Sequence, residues 1–227
     1  MSKNIFMSWS GGKDSAVALY EIQKANIHRV AALLTTVTED YDRISMHGVR
    51  RALLEQQAEA LGLPLRKILI PKDSTNAVYE ARMRALLEEG LREGIDTVAF
   101  GDIFLEDLKL YREKNLAQLG MKGLFPIWKR DTAELSQTFI KLGFKAVLTC
   151  VDTAVLAPAF AGRLYDQDLL RDLPPHVDAC GENGEFHSFT FDGPLFQHPI
   201  NHTVGEVVQR DHFCFCDLIP PDDPSAL

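Results

Sequence analysis

Cysteine is scarce in this sequence: four residues among 227, at Cys150, Cys180, Cys214 and Cys216, unevenly spaced and set in apolar or strand-like surroundings. Such sparse thiols exclude a secreted disulfide framework. No stretch approaches the ~18 consecutive apolar residues of a membrane-spanning helix, and the apolar run Ile5 to Met7 is too short for a signal peptide. Positive charge is also short, with 24 Lys and Arg against 32 Asp and Glu and a net charge of −8. A chain of that balance has no overall electrostatic footprint for nucleic acid or anionic lipid. The expectation is a cytoplasmic protein that uses no membrane and no nucleic acid, although a local basic pocket stays open. With 46% hydrophobic and 25% charged residues, a disordered chain or a fibrous rod is excluded as well.

Short apolar runs alternating with helical stripes are plentiful. Residues 5–9 form a run that breaks at Ser10-Gly11-Gly12 and resumes as SAVALYEIQKAN, which reads as strand, tight turn and helix. Val30 to Thr36 is a second run, followed by a helix that Gly62-Leu63-Pro64 stops. Leu65 to Ile70 is a third strand. Tyr79, Met83, Leu86, Leu87 and Leu91 then mark a helix with one buried face. Thr97 to Phe100 is a fourth strand that closes at Gly101-Asp102, a helix spans Glu106 to Leu119, and Gly120 to Pro126 reads as a loop. A helix over Thr132 to Leu142 leads into strand-like Ala146 to Val151.

This alternation predicts an α/β fold, a five-stranded parallel Rossmann-like sheet with helices on both faces. Beyond residue 152 the texture shifts to short strands punctuated by Pro174-Pro175, Gly181 to Gly184 and Gly193-Pro194, as in a smaller α+β subdomain. The boundary falls between 128 and 152, giving units of 1–130 and 131–220 and a disordered tail at 221–227.

The strongest chemical signal is Ser10-Gly11-Gly12-Lys13-Asp14-Ser15 at the junction of first strand and first helix. Unpaired N–H groups and the helix dipole favour an anion there, and two glycines let it approach the backbone. Lys13 adds a full charge, and the hydroxyls of Ser10 and Ser15 add donors. The plainer alternative is that Ser10 only caps the helix. The spacing fits neither G-x-x-x-x-G-K-[ST] nor G-x-G-x-x-G. The string instead resembles the pyrophosphate loop of the N-type ATP pyrophosphatase group, within the adenine nucleotide alpha hydrolase (HUP-type) superfamily.

Further segments follow in order: Gly101-Asp102-Ile103, Tyr111-Arg112, Phe125 to Asp131, Gly181-Glu182-Asn183-Gly184-Glu185-Phe186-His187-Ser188-Phe189, and Asp192 to Phe196. Together with the loop they resemble the diphthine ammonia ligase family over nearly the whole chain, with Ser188 where threonine is expected. The resemblance implies an AMP-forming ligase that adenylates a carboxylate with ATP and then aminates it with ammonia, using Mg2+. Its acceptor would be diphthine-modified elongation factor 2, and a homodimer is left open. It implies that Ser10 to Ser15 hold the phosphates, with Lys13 and Asp14 catalytic. Glu182, Asn183, Gly184, Glu185 and His187 would belong to the acceptor or ammonia side, with Glu185 catalytic.

Other residues keep two readings. His47 is a nucleotide contact or a surface loop histidine. Asp102 coordinates magnesium or orients ribose at the strand's carboxyl end, beside Gly101, or else caps the next helix. Asn183-Gly184, taken alone, is a hairpin turn. His212, Cys214 and Cys216 share one parity and invite zinc, but their spacing fits no usual site, and buried strand thiols are preferred. Alternatives to the diphthine reading are a same-mechanism ligase on another carboxylate, a tRNA-base modifying enzyme, and a nucleotide sensor without chemistry.

Overall fold

The computed structural model describes residues 2–44, 48–72 and 74–221. Met1, Asp73 and 222–227 fall outside it, as does His47 within 45–47, so the expectations for His47 and for most of the tail lie beyond the described residues. The chain runs β1 (Lys3–Ser8), α1 (Lys13–Ala25), β2 (His28–Thr38), β3 (Arg43–Ile44), α2 (Arg51–Ala60), β4 (Leu65–Ile70), α3 (Asn76–Arg92) and β5 (Thr97–Ala99). It continues as α4 (Glu106–Ala117), β6 (Lys122–Leu124), α5 (Thr132–Lys141), β7 (Lys145–Asp152), α6 (Gln167–Asp172), β8 (Phe186–Asp192), β9 (Thr203–Arg210) and β10 (Phe213–Ile219).

Five strands pair in parallel, β4 on β2, β2 on β1, β1 on β5 and β5 on β6. The two-residue β3 adds antiparallel to the end of β2. Ile5, Phe6 and Met7 of β1 are all fully buried, because helices cover both faces and the central strand therefore reads as a continuous apolar run instead of alternating. On one face Phe6, Ala32, Leu34 and Val98 pack with Leu87 of α3 and Leu116 of α4. On the other, Ile5, Met7, Leu33 and Ala99 pack with α1 and α2.

The fifth parallel strand is β6, inside the stretch read from sequence as a loop. Three residues, two of them Lys122 and Gly123, carry too little apolar pattern to announce a strand. They become one by pairing Thr97 to Ala99 with Lys122 to Leu124. The run at 146–151 belongs to β7 in a second sheet, antiparallel throughout, ordered β8-β7-β10-β9. One apolar core continues from α1 and β1 through α5 to Val147, Phe189 and Cys214 of that sheet.

The two sheets are tied by a buried amide. Gln57 of α2 is fully buried; its Nε2 donates to Gly11 O at 2.9 Å and Thr190 O at 2.5 Å, and its Oε1 accepts from Trp9 Nε1 at 2.9 Å. Thr190 N donates to Gly11 O at 2.8 Å. Among the described residues, no helix is long and apolar enough to cross a membrane.

A Gln57→Leu substitution keeps the volume and removes all three side-chain bonds. Each buried group left unsatisfied costs about 1–3 kcal/mol. Denaturant unfolding is expected to show a loss of at least about 2 kcal/mol; an unchanged midpoint would show that the amide is not the tie.

Candidate functional site

Parallel α/β sheets present ligands at the carboxyl ends of their strands, and the glycine-rich segment leaves β1 at that edge. Trp9 N still donates to Leu34 O at 2.7 Å, after which the chain turns sharply. Gly11 has φ +78, and a Cβ there would sit 2.7 Å from Gln57 Oε1, so both the turn and the packing require glycine. Gly12, with extended backbone, is the N-cap of α1 and has no side-chain cap bond. The alternative that Ser10 caps the helix therefore fails. Ser15 Oγ donates to Gly12 O at 2.8 Å and lies 3.3 Å from Ser10 Oγ, which accepts from Gly12 N at 3.3 Å. At Gly101 a Cβ would meet Ser15 N at 2.8 Å and the Asp14 carbonyl carbon at 2.9 Å. The end of β5 thus lies directly against the first turn of α1.

Lys13 is 3% exposed. Its Nζ donates to both Asp14 oxygens at 2.9 and 2.8 Å and to Cys180 O, and it lies 5.4 Å from the Phe186 ring and 5.7 Å from that of Tyr165. Burial disfavours the ammonium, but Asp14, Cys180 and Glu182 outweigh it and hold the Lys13 pKa above its ordinary value. Its backbone N donates to Ser188 Oγ at 3.2 Å, so the serine standing where threonine was expected supplies the needed hydroxyl.

A cleft of about 470 Å³ opens over this turn, lined by Ser10, Gly12, Lys13, Asp14, Ser15, Gly101, Asp102, Glu182, Asn183, Gly184 and His187, among others. Of the residues singled out from sequence, Gly11 and Glu185 are not in that lining, and His47 lies outside the described residues. An apolar pocket of about 380 Å³ adjoins the cleft, sharing Ser8, Ser10, Phe100, Leu108, Arg112 and His187 with it. It runs between β2, α3 and α4, past Thr35, Tyr79, Met83 and Leu116. The Thr35 hydroxyl, buried on this wall, has no hydrogen-bond partner among the described residues.

Asp102 is engaged at both oxygens by Arg112, at 2.6 Å from Nε and 3.1 Å from Nη2. It does not cap α4, whose N-cap is Leu105, so that alternative is excluded. The Arg112 guanidinium also lies 4.5 Å over the Phe100 ring, a placement that fixes it where cleft and pocket meet.

Glu182 bridges the halves: its Oε1 accepts from Ile103 N at 2.8 Å and Phe104 N at 3.3 Å, just beyond β5. Burial, aided by the charge of Asp14 and opposed by those two donors, pushes its pKa up to about 7. Glu185 is 6% exposed; Oε1 accepts from Asp178 N and Asn183 Nδ2, both at 3.0 Å, while Oε2 has no partner among the described residues. The hairpin expected at Asn183-Gly184 is absent: a turn closed by Gly184 N to Gly181 O at 3.1 Å precedes β8, and no incoming strand pairs with it. Asp178 organises the segment, accepting from Cys180 N, Glu182 N and Thr132 Oγ1. His187 is driven down to about 4 by burial and by Lys13, so its imidazole is neutral at pH 7.

Asp178, Gln57 and Thr35 were not singled out from sequence, and Arg112 stood only as part of the Tyr111-Arg112 segment, with no role assigned to it. Asp178 alone carried a local signal, an aspartate followed by small residues and Gly181, the pattern of a side-chain-closed turn. His212 stands in the β9–β10 turn, not in a strand as its parity suggested, while Cys214 and Cys216 are buried on β10. Among the described residues, no three His, Cys, Asp or Glu side chains group as a metal site.

Comparison with known proteins adds to this geometry. The model of the diphthamide synthase N-terminal domain matches residues 2–123, and that of the diphthamide synthase C-terminal domain matches 131–218. A diphthine–ammonia ligase of Danio rerio is 30% identical, covering 92% of this chain and 90% of its own. The human diphthine–ammonia ligase is 28% identical over 88% of this chain and 82% of its own. Among solved structures, the U34-tRNA thiolase NcsA of Methanococcus maripaludis, with its [4Fe-4S] cluster, reaches a TM-score of only 0.38 at 20% identity, over 62% of this chain and 57% of that one.

The elevated Glu182 pKa is checked by carboxyl-carbon NMR of the free protein. A titration with its midpoint near 7, absent in Glu182→Gln, is expected; a midpoint in the ordinary glutamate range would refute the burial argument.

Proposed function

Since the chain belongs to the diphthamide synthase family, we propose that it is an ATP-dependent, AMP-forming ligase that converts the diphthine carboxylate of elongation factor 2 to an amide with ammonia. The observation that carries this reading is an apolar pocket that adjoins and shares lining residues with a cleft bearing the N-terminus of α1 and a glutamate whose pKa is raised to about 7. The apolar pocket suits an adenosine, with the Thr35 hydroxyl free to pair with it. The triphosphate then runs past Ser10 onto the first turn of α1. There Gly12, Ser15 and the charge of Lys13 meet the β and γ phosphates and stabilise the pyrophosphate as it leaves.

A carboxylate is a poor electrophile, and exchanging its oxygen for an adenylate makes it susceptible to ammonia. The acceptor oxygen attacks the α phosphorus and pyrophosphate departs; ammonia then attacks the acyl carbon, AMP departs and one proton is lost. Glu182, which lines the cleft, is placed to take that proton, its pKa near the working pH as a general base requires. Glu185 and Asp178 position the turn that presents Glu182, and the neutral His187 donates or accepts a hydrogen bond where adenosine and acceptor sides join. Magnesium fits the donor set as a partner of the nucleotide: Asp14 and Asp102 line the cleft, paired with Lys13 and Arg112, and would hold the ion together with the phosphates, as one or two carboxylates commonly do. Bound there, it would draw charge from the phosphate oxygens.

The test is a product assay with ATP, magnesium, ammonium and diphthine-bearing elongation factor 2. AMP and pyrophosphate should appear in step with amide, and Lys13→Ala should lower AMP formation at least about 100-fold, the scale of losing a transition-state charge partner. Tight ATP binding without AMP would mark a sensor, and pyrophosphate release driven by tRNA but not by the protein acceptor would mark a base-modifying enzyme; either result overturns the proposal.

The amination step has its own signature. A base with a pKa near 7 is active when deprotonated, so at a constant concentration of free ammonia the rate should rise with pH through about 7 and level above it. Glu182→Gln should form AMP yet lose this inflection and most of the amide; an unchanged profile would remove Glu182 from the proton transfer.

A further inference from the structure

Strand β9 ends the antiparallel sheet, pairing with β10 on one side and, among the described residues, with no strand on the other. At eight residues it is longer than the usual ~5–6. Every residue but Gly205 is exposed, including Val204 at 49%, Val207 at 43% and Val208 at 38%. A long, exposed, valine-rich edge is a template for another strand.

The register of β9 fixes what that strand must look like. Arg210 and Phe213 flank the two-residue turn Asp211-His212 and close it as a hydrogen-bonded pair, which makes Val208 with Phe215 the next such pair. The alternate residues of β10 turn the other way, as His212 O shows by accepting from Thr153 N beside β7 at 2.7 Å. Val207 and Gln209 therefore direct their N–H and C=O groups outward from the edge.

We propose that this edge pairs with its own copy, joining two four-stranded sheets into one of eight about a two-fold axis at Val208. Among antiparallel registers that use the outward groups of Val207 and Gln209, one alone sets Glu206 opposite Arg210. In it Val207 bonds Gln209 of the second copy and Gln209 bonds its Val207, giving four backbone hydrogen bonds. Val208 meets Val208 at the axis, and two Glu206–Arg210 pairs fall at non-hydrogen-bonded positions, where side chains approach most closely. The self-complementary charge is what selects a second copy over an unrelated strand. The inference is independent of the ligase reading, since no residue of β9 lines the cleft.

The experiment is sedimentation velocity of the full chain across a range of concentrations. Wild type should be a dimer; Val207→Pro, which removes an outward N–H without touching the β10 ladder, should be a monomer with its thermal midpoint retained. Arg210→Glu should also be monomeric because it faces Glu206 twice, and the double variant Glu206→Arg with Arg210→Glu should recover the dimer. A monomeric wild type overturns the proposal. So does a dimer that survives both single variants, or a charge swap that fails to restore association.

Discussion

The structure depends on holding the glycine-rich turn between β1 and α1 at one fixed place against β8. Gly11 O accepts from Gln57 Nε2 and from Thr190 N, and the Lys13 backbone donates to Ser188. These bonds come from α2 and from a strand about 175 residues away in sequence. A backbone so anchored needs little reorganisation when an anion arrives, which is the condition for a helix N-terminus to act as a strong electrostatic partner. The same bonds make the two sheets one unit at the site, for the core that begins under β1 continues without a break into the second sheet.

Charge around that turn is balanced in a way that the net acidity of the chain conceals. Lys13 is buried with Asp14 as its partner and the Tyr165 and Phe186 rings nearby. Arg112 is held by Asp102 and Phe100. Both cations line the cleft already oriented, each with its charge locally compensated, so neither is buried alone. Glu182 is the counterpart on the other side: burial near Asp14 holds it close to neutrality while two backbone N–H groups fix its geometry.

Much of the sheet was legible because parallel strands buried on both faces and one-sided helices leave periodic signals, as β1, β2, β4 and α3 do. The strand β6 was not, since pairing with β5 and not its own pattern makes it a strand. The glycine-rich turn was legible because SGGKDS is contiguous, and its backbone conformation follows from its glycines. The turns before β8 were less so. The residues Gly181 to Phe189 stood out by resemblance, but the hairpin suggested by Asn183-Gly184 gives way to turns held by Asp178. Glu185 supports those turns from beneath, outside the cleft lining where its expected role placed it.

Sequence by itself determined the alternating α/β layout and the glycine-rich turn from strand to helix at residues 10–15, both of which rest on local spacing and backbone chemistry. The motif order also pointed to the family that the two matched domains bear out. Only the tertiary structure decided which carboxylate faces the cleft, that Arg112 closes on Asp102, and that Gln57 locks the turn to the second sheet. Those facts are contacts between residues far apart in the chain. They are set by how two sheets pack around one core, and no window of sequence contains them.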